Sequence, residues 1–467
     1  MKNNHLTALF RRFSKKEVRE LRKWLLSPVH NQREDVVALF EYLSNEKYLY
    51  NDKHLEKERI FQKIFPKQKY NDAKFRQTIF FLNKCIEEYL TYCDLREDEV
   101  RLKMALAGVY RKKNMSKAYQ KTIRSISSLQ EKQNLRNEHF LRNEYLIQKE
   151  QYLFFEKQKR NIKMNLQELS DALDTTFFAD KLKLSCLMLA HQRVYKAEYA
   201  PGLLDDVLSY VEDNDILDTP AIAVYYYGYK ALTSPDKSYF DHLKTNMFNL
   251  GNSFPKAETR DIYLMALNYC IRRNNEGDKA FIRETFELFK KMLEFDLIIE
   301  NNSLSPWTFA NIALNGLQVA EYEWVESFVE TYQKYLPEKV RAHFVHYCMA
   351  RLHFEQKDYD KAMPLLVQTD FDDILLNLNA KTLLLKMYYE LTEFDTLESL
   401  LESMRTYLHR KDVGYHEPLF KNVIKLTRKL VRVNPYDKSE KAKLRKEIES
   451  TNPLRERTWL LEQLEAV

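Results

Sequence analysis

Hydrophobic residues recur along this chain mostly at intervals of three and four, which is the spacing of one face of an α-helix. The first run follows Ser14, which forms the pattern of a helix capping box with Glu17. Phe13 and Val18 occupy the positions of a hydrophobic staple, and Pro28 stops the run. The pattern therefore predicts a helix that begins at Ser14 and ends before Pro28.

The next three hydrophobic runs predict helices at 33–45, 52–65 and 71–92. The last of these has Asn71 or Asp72 as its N-cap, and its apolar stripe is wide enough to be buried on more than one side. Further along, helical runs alternate with short breaks that hold prolines, and no strand-like alternation persists. The chain is therefore predicted to be all-α.

Three nine-residue blocks in the second half of the chain align with one another. EYEWVESFV begins at residue 321, DYDKAMPLL at 358 and EFDTLESLL at 393. Each block has an aromatic residue, then a small or apolar residue, then another apolar residue at helical spacing, and each follows a further amphipathic helix. This recurrence predicts repeated helical hairpins.

The hairpins resemble the tetratricopeptide repeat, a helix–turn–helix unit of about 34 residues, and the resemblance is best over residues 306–408. Ala313 and Ala350 match the small position of the first helix of the repeat, and Ala362 matches that of the second. Pro337 lies where the repeat ends its second helix with proline. The resemblance implies a right-handed α-solenoid of helical hairpins.

The C-terminal segment 452–467, NPLRERTWLLEQLEAV, predicts an amphipathic helix. Its apolar residues at helical spacing are Leu454, Trp459, Leu460 and Leu464. A solenoid needs such a helix as a cap, because its last repeat would otherwise expose an apolar face. The expected organisation is an N-terminal helical subdomain at 1–95, a helical-repeat solenoid at 96–425 and C-terminal capping helices at 426–467.

In a solenoid of this kind, the first helices of the hairpins line a concave groove that binds peptides. The positions that would line it combine aromatic side chains with Arg and Lys, a mixture typical of binding hot spots. They are Trp307, Phe344, Tyr347, Arg351, Phe354, Lys386 and Tyr389. The alternative is that some of these side chains pack against neighbouring helices or against the C-terminal cap.

His343, His346 and His353, with Cys348 nearby, fall on the first helix of one hairpin. A zinc site needs three or four convergent ligands, and no further acidic or cysteine ligand follows at a matching spacing. In the register of the repeat, two of these histidines occupy large-residue positions that pack within the hairpin. We therefore interpret the histidines as structural and expect no metal site.

The chain contains only 7 glycines, and no two are close enough for a phosphate-binding loop. Such loops need glycine because the backbone must approach the anion closely. This excludes nucleotide-binding Rossmann, P-loop and kinase patterns, and the HExxH and GxSxG motifs are also missing. His409 and His416 are the best remaining titratable pair, but we expect no enzyme, no catalytic residue and no cofactor.

Five scattered cysteines without a CxxC pattern fit a reducing compartment. The first residues lack the apolar core of a secretory signal. No apolar run reaches the roughly 18 residues that a spanning helix needs. We therefore expect a soluble cytoplasmic protein that does not contact a membrane.

The net charge of +6 is unevenly distributed. Residues 1–170 carry about +14, residues 171–420 about −13 and residues 421–467 about +5. Such asymmetry indicates either a nucleic-acid-binding face or an internal match between basic and acidic regions whose exposed charges are solvated. Both interpretations stay open at the level of sequence.

Residues 53–90 carry the nucleic-acid alternative. A short helix, a turn with Pro66 and a long helix resemble the helix-turn-helix of bacterial transcriptional activators that carry tetratricopeptide repeats. The resemblance implies phosphate contacts from basic residues near the second helix and on the following hairpin. These are Lys67, Lys69, Lys74, Arg76, Arg111, Lys112, Lys113, Lys117 and Lys121. The acidic segment 91–100 departs from the winged form, which has a β-hairpin there.

The expected function is that of a non-enzymatic scaffold or adaptor that binds a protein or peptide partner in the concave groove. The alternative is a nucleic-acid-binding regulator that uses the basic N-terminal third.

Overall fold

The computed structural model describes residues 1, 4–157, 163–195, 197–249, 251–367 and 372–467. Within these residues the chain forms 24 α-helices, three short 3-10 helices and no β-strand. The expected all-α class is therefore confirmed. The chain divides into two compact units, Met1–Asp180 and Lys181–Val467.

The described part of the first unit is a succession of helices joined by short connections. They are α1 (His5–Phe10), α2 (Lys15–Leu26), α3 (Glu34–Leu43), α4 (Glu46–Leu49), α5 (Lys57–Ile64), α6 (Asp72–Glu97), α7 (Glu99–Lys112), α8 (Ser116–Lys132) and α9 (Glu138–Phe155). A 3-10 helix, Asp52–Leu55, precedes α5. The long helix α10 (Leu166–Tyr195) begins in this unit and ends in the second.

The second unit continues in the same way. Its helices are α11 (Leu204–Asp213), α12 (Pro220–Thr233), α13 (Ser238–Asn249), α14 (Lys256–Asn275), α15 (Ala280–Glu294), α16 (Pro306–Gln318), α17 (Tyr322–Tyr332), α18 (Glu338–Glu355), α19 (Tyr359–Val367), α20 (Ile374–Glu390), α21 (Phe394–Arg410), α22 (Glu417–Arg432), α23 (Lys438–Ser450) and α24 (Arg457–Ala466). Two 3-10 helices, Gln333–Tyr335 and Gly414–His416, lie between them.

The predicted capping box at the start of α2 is confirmed. The Glu17 amide donates to Ser14 Oγ at 3.2 Å, and the Ser14 amide donates to Glu17 Oε2 at 2.7 Å. The helix predicted at 52–65 is instead divided, because Glu56 has an extended backbone. On one continuous helix, Leu55 and Ile60 would point about 140° apart. The break lets both side chains enter the same core, where they are fully buried.

Helix α6 begins after Asn71, as predicted, and ends at Glu97, beyond the predicted end. Its buried side chains include Phe75, Leu82 and Ile86, which pack in the core of the first unit. The prediction that the whole stripe is buried was too broad, since Phe80 is 62% exposed. The packing contacts of α6 with this core therefore lie on one face of the helix.

Helical hairpins dominate the second unit. Helix α12 packs on α13, α14 on α15, α16 on α17, α18 on α19 and α20 on α21. The first helices of neighbouring hairpins also contact one another, as α16 contacts α18 and α18 contacts α20. Ala313, Ala350 and Ala362, the small residues of the repeat pattern, are fully buried.

Gly316 permits a close approach between helices in this region. A Cβ atom at this position would lie 2.5 Å from Val325 Cγ2 and 3.2 Å from Phe286 Cε2. Val325 is fully buried and cannot move aside. Helices α16 and α17 can therefore meet at this distance only because residue 316 has no side chain.

We expect Gly316→Ala to lower the free energy of unfolding by about 1–3 kcal/mol, because the new methyl group overpacks the contact with Val325. Gly108→Ala, in helix α7, is the matched control, since nothing lies within 4 Å of its Cβ position. The control is expected to stabilise by up to about 1 kcal/mol through helix propensity. Urea denaturation measures both, and equal effects would contradict the packing at Gly316.

Candidate functional site

The residues predicted to line a groove lie on α16, α18 and α20, but most are buried within the chain. Phe344, Tyr347 and Phe354 on α18 are almost inaccessible, as are Lys386 and Tyr389 on α20. Trp307 and Arg351 are partly buried. Trp307 makes an edge-to-face contact with Phe344, with ring centroids 5.4 Å apart.

The chain's own C-terminal part contacts Lys386 and Tyr389 and lies near Tyr347 and Arg351. The residues that make the contact are 455–459, which we call the covering segment. They lie at the beginning of α24 and in the turn before it. We use the name Lys386 surface for four residues at this contact: Tyr347, Phe354, Lys386 and Glu390. The alternative in which groove positions pack against the C-terminal cap is therefore realised at this surface.

Lys386 is the centre of the contact. Its side chain is only 9% exposed, and its Nζ donates to Glu456 Oε2 at 3.1 Å. The same Nζ lies 4.9 Å from the ring centroid of Phe354 and 5.6 Å from that of Trp459. Burial of an ammonium group costs several kcal/mol unless it is paired. The carboxylate and the two aromatic faces offset this cost.

Glu456 is held as a carboxylate. Burial alone raises its pKa, but the charges of Lys386 and Arg351, the hydrogen bond from Lys386 and the charge of Arg455 lower it, and the net pKa lies below its ordinary value. Arg455 also donates to Asn379 on α20. The covering segment is therefore fixed to α20 by two charged side chains.

Glu390, which lies one turn after Lys386 on α20, forms the third hydrogen bond between α20 and the covering segment. Trp459 Nε1 donates to Glu390 Oε1 at 2.9 Å, while Lys357 and Tyr359 donate to Oε2 of the same carboxylate. Burial raises the pKa of Glu390, but these hydrogen bonds outweigh it and lower the pKa below its ordinary value. The Trp459 indole thus completes the hydrogen bonding of a largely buried carboxylate.

Apolar packing anchors the rest of α24. Trp459 meets Tyr389 edge to face, with ring centroids 5.5 Å apart. Leu460 and Leu464 are buried in a core cluster that also contains residues of α22 and α23. The predicted amphipathic helix is confirmed, although it begins only at Arg457.

Sequence reasoning missed the polar half of this contact. The residues it did not single out are Asn379, Glu390, Arg455 and Glu456. One signal was present: Lys386 and Glu390 are four apart with the basic residue first, the order that stabilises a helix less well than its reverse. Such a pair on a buried helix face indicates that each charge has a partner elsewhere.

The structure separates the nine nucleic-acid candidates into paired and exposed residues. Arg111 is 13% exposed and forms a bidentate pair with Glu150, with Nε–Oε1 and Nη2–Oε2 distances of 2.6 and 3.1 Å. Arg76 pairs with Asp72. Lys74 donates to Gln68 and lies 4.2 Å from the centroid of the Phe65 ring. Arg111 and Lys74 are therefore held by contacts within the chain, whereas the Arg76 side chain stays 73% exposed beside its partner.

The other six candidates are exposed lysines. Lys67 and Lys69 lie in the turn between α5 and α6, whereas the other four lie at or near the tip of the α7–α8 hairpin: Lys112, Lys113, Lys117 and Lys121. None of these six has an ion-pair partner among the residues that the structure describes. The hairpin tip is therefore a positively charged surface.

The histidines of α18 form no metal site in the part of the chain that the structure describes, where no three His, Cys, Asp or Glu side chains converge as ligands. His409 lies in the last turn of α21. His416 is the last residue of a 3-10 helix, and its ring centroid lies 3.9 Å from that of Tyr415. Among the described helices, none combines the length and apolar character needed to cross a bilayer.

In comparisons with known proteins, no family model, no curated protein and no solved structure matches this chain.

Replacement of Glu456 by alanine is expected to release the beginning of α24. The change leaves the Lys386 ammonium buried without a partner, which costs about 3–5 kcal/mol. Hydrogen exchange read by mass spectrometry should show the opening constant of this helix rising about a hundredfold or more.

Glu465→Ala is the matched control on the same helix. Glu465 is 61% exposed and pairs with the exposed Arg445, so its loss should cost less than about 1 kcal/mol. An equal response of the two variants would show that Lys386 does not depend on Glu456.

The contact between Lys386 and Glu456 is also expected to weaken in acid. A carboxyl group whose pKa is lowered in the folded chain contributes stability above its unfolded pKa of about 4.3, and this contribution disappears as the pH falls through the folded pKa. The difference in α24 protection between the unchanged protein and Glu456→Gln should therefore be large at pH 7 and smaller at pH 3, which lies below the unfolded pKa. A difference that stays constant over this range would contradict the ionised state of Glu456.

Proposed function

We propose that the protein is a non-enzymatic interaction scaffold, a solenoid of helical hairpins that holds a segment of a protein partner against the first helices of its hairpins. The successive packing of α16, α18 and α20 supports this architecture. The small residues Ala313 and Ala350 lie buried where the tetratricopeptide pattern expects them. The scaffold supplies a surface, and no chemical step is part of the proposal.

The observation that carries the proposal is the occupied Lys386 surface. Helix α20 holds the start of another helix through a charge pair, an indole hydrogen bond and an aromatic contact. This is the chemistry by which helical segments dock in grooves, with the Trp and charged anchors typical of hot spots. A surface that accepts such a segment from its own chain has the features needed to accept one from a partner.

The state of the thiols favours a non-enzymatic role. Burial raises the pKa of Cys186, Cys270 and Cys348 to about 12. A nucleophilic cysteine needs the opposite shift, because the thiolate is the reactive form. These three thiols are therefore packing residues.

A second candidate function is binding of nucleic acid by the α7–α8 hairpin. The observation that favours it is the group of exposed lysines at the hairpin tip, Lys112, Lys113, Lys117 and Lys121. Exposed lysines neutralise phosphates and give a salt-dependent affinity without sequence preference. The burial of Arg111 against Glu150 removes the residue best suited to a bidentate phosphate contact.

The two functions are separated by affinity capture of the tagged protein from its native cells, with and without nuclease. The scaffold predicts a stoichiometric protein partner that survives both nuclease and charge reversal of Lys112, Lys113 and Lys117. Partners that vanish with nuclease, together with co-purifying DNA or RNA, would contradict it. Tyr347→Ala and Phe354→Ala are poor probes of this question, because both residues are buried and their loss tests folding.

A further inference from the structure

The Lys386 surface has a composition that restricts what can cover it. It contains one buried ammonium, from Lys386, one largely buried carboxylate, from Glu390, and the buried aromatic rings of Tyr347 and Phe354. In this structure the covering segment supplies a carboxylate through Glu456 and an indole N–H through Trp459, three residues later.

We infer that the Lys386 surface is a binding site for a protein segment that carries a carboxylate three residues before a tryptophan, and that the covering segment occupies this site until such a partner displaces it. The inference rests on the proposed function and gives the chemistry of its partner. The chain's own residues 455–459 are the template for that chemistry.

The carboxylate is required by Lys386. An occupant with an apolar or basic residue at the position of Glu456 would exclude water from the ammonium without pairing it, which is the costly case for a buried charge. Arg351 and Arg455 add positive charge near the same carboxylate. Arg455 leaves with the covering segment, whereas Lys386 and Arg351 stay in the site, so that an acidic residue is favoured in the segment that replaces it.

The tryptophan is required by Glu390, the other charged residue of the Lys386 surface. Its N–H reaches Glu390 Oε1, and its ring contacts both Tyr389 and the Lys386 ammonium. Phenylalanine has the ring but no donor. The site therefore distinguishes Trp from Phe by one hydrogen bond to a buried carboxylate.

Exchange is feasible because α24 has a second anchor. Leu460 and Leu464 share one core cluster with Trp459 and with residues of α20, α22 and α23, and α24 contacts both α22 and α23. These contacts hold the helix when the first turn, with Trp459, leaves the Lys386 surface. The covalent connection gives the covering segment an effective concentration on the order of millimolar. A free peptide with the same contacts should therefore bind weakly unless the covering segment is disabled.

The test uses the full chain and a fluorescein-labelled peptide with the sequence of residues 452–461, NPLRERTWLL. Fluorescence anisotropy should show that the variant Glu456→Ala/Trp459→Ala binds this peptide at least tenfold more tightly than the unchanged protein. Addition of Lys386→Met to this variant should abolish binding. Peptides with Glu456→Ala or Trp459→Phe should bind at least tenfold more weakly, whereas the control peptide Thr458→Ala, changed at an exposed position, should bind as well as the original.

Equal affinity of the variant and the unchanged protein, or of the acidic and alanine peptides, would overturn the inference. If circular dichroism shows the variant to be unfolded, the test is hydrogen exchange of the unchanged protein with excess peptide. The first turn of α24 should then exchange faster while α20 stays protected, and no change would overturn the inference. Light scattering that shows a dimer which dissociates in the variant would also overturn it, with a second copy of the chain as the occupant.

Failure of this inference and failure of the proposed function give different results. If a nuclease-resistant partner is captured and the peptide does not compete with it, the scaffold stands and the Lys386 surface is not its binding site. If no protein partner is captured but the peptide binds as described, the surface is an internal contact and the scaffold function fails.

Discussion

The C-terminal part of the second unit depends on the pairing of one buried charge. Lys386 lies on a helix whose other side chains are mostly apolar, and its ammonium is removed from water. A charge in that position is tolerated only with a partner in contact, and the partner, Glu456, is 70 residues away in the chain. The position of α24 relative to α20 follows from this requirement, since Arg455 and Trp459 make their own contacts with α20 on either side of Glu456.

Local features of the fold could be predicted from the sequence because they depend on neighbours along the chain. The capping box at Ser14, the N-cap at Asn71 and the apolar face of α24 are of this kind. The break at Glu56 could not be predicted in this way, because it arises from two side chains that reach the same tertiary core.

Residues of the candidate site were predicted only in part, for the same reason. Periodicity identified Lys386, Phe354 and Trp459 as notable but could not show that they meet. Arg111 illustrates the reverse case, since a basic side chain looks the same in a sequence whether it faces solvent or pairs with Glu150, 39 residues away. Charge pairing between distant residues leaves no periodic pattern, so only the folded chain reveals it.

The uneven charge of the chain has two structural consequences. Some basic residues of the N-terminal and C-terminal parts pair with acidic residues of the middle part, as Arg142 does with Asp180 and Arg428 does with Glu402. The lysines at the tip of the α7–α8 hairpin are instead exposed to solvent. Pairing of basic with acidic regions and an exposed basic surface are alternatives at the level of sequence. Both are present, in different parts of the molecule.

The most direct test of the central role of Lys386 is a double-mutant cycle with Glu456, using Lys386→Met, Glu456→Gln and the combined variant. The free energy of opening of α24, from hydrogen exchange, gives the coupling between the two side chains. We predict a coupling free energy of about 1–3 kcal/mol, with the combined variant less destabilised than the sum of the single variants. Additive effects, within about 0.5 kcal/mol, would show that the two charges do not depend on each other and would contradict the proposed basis of the site.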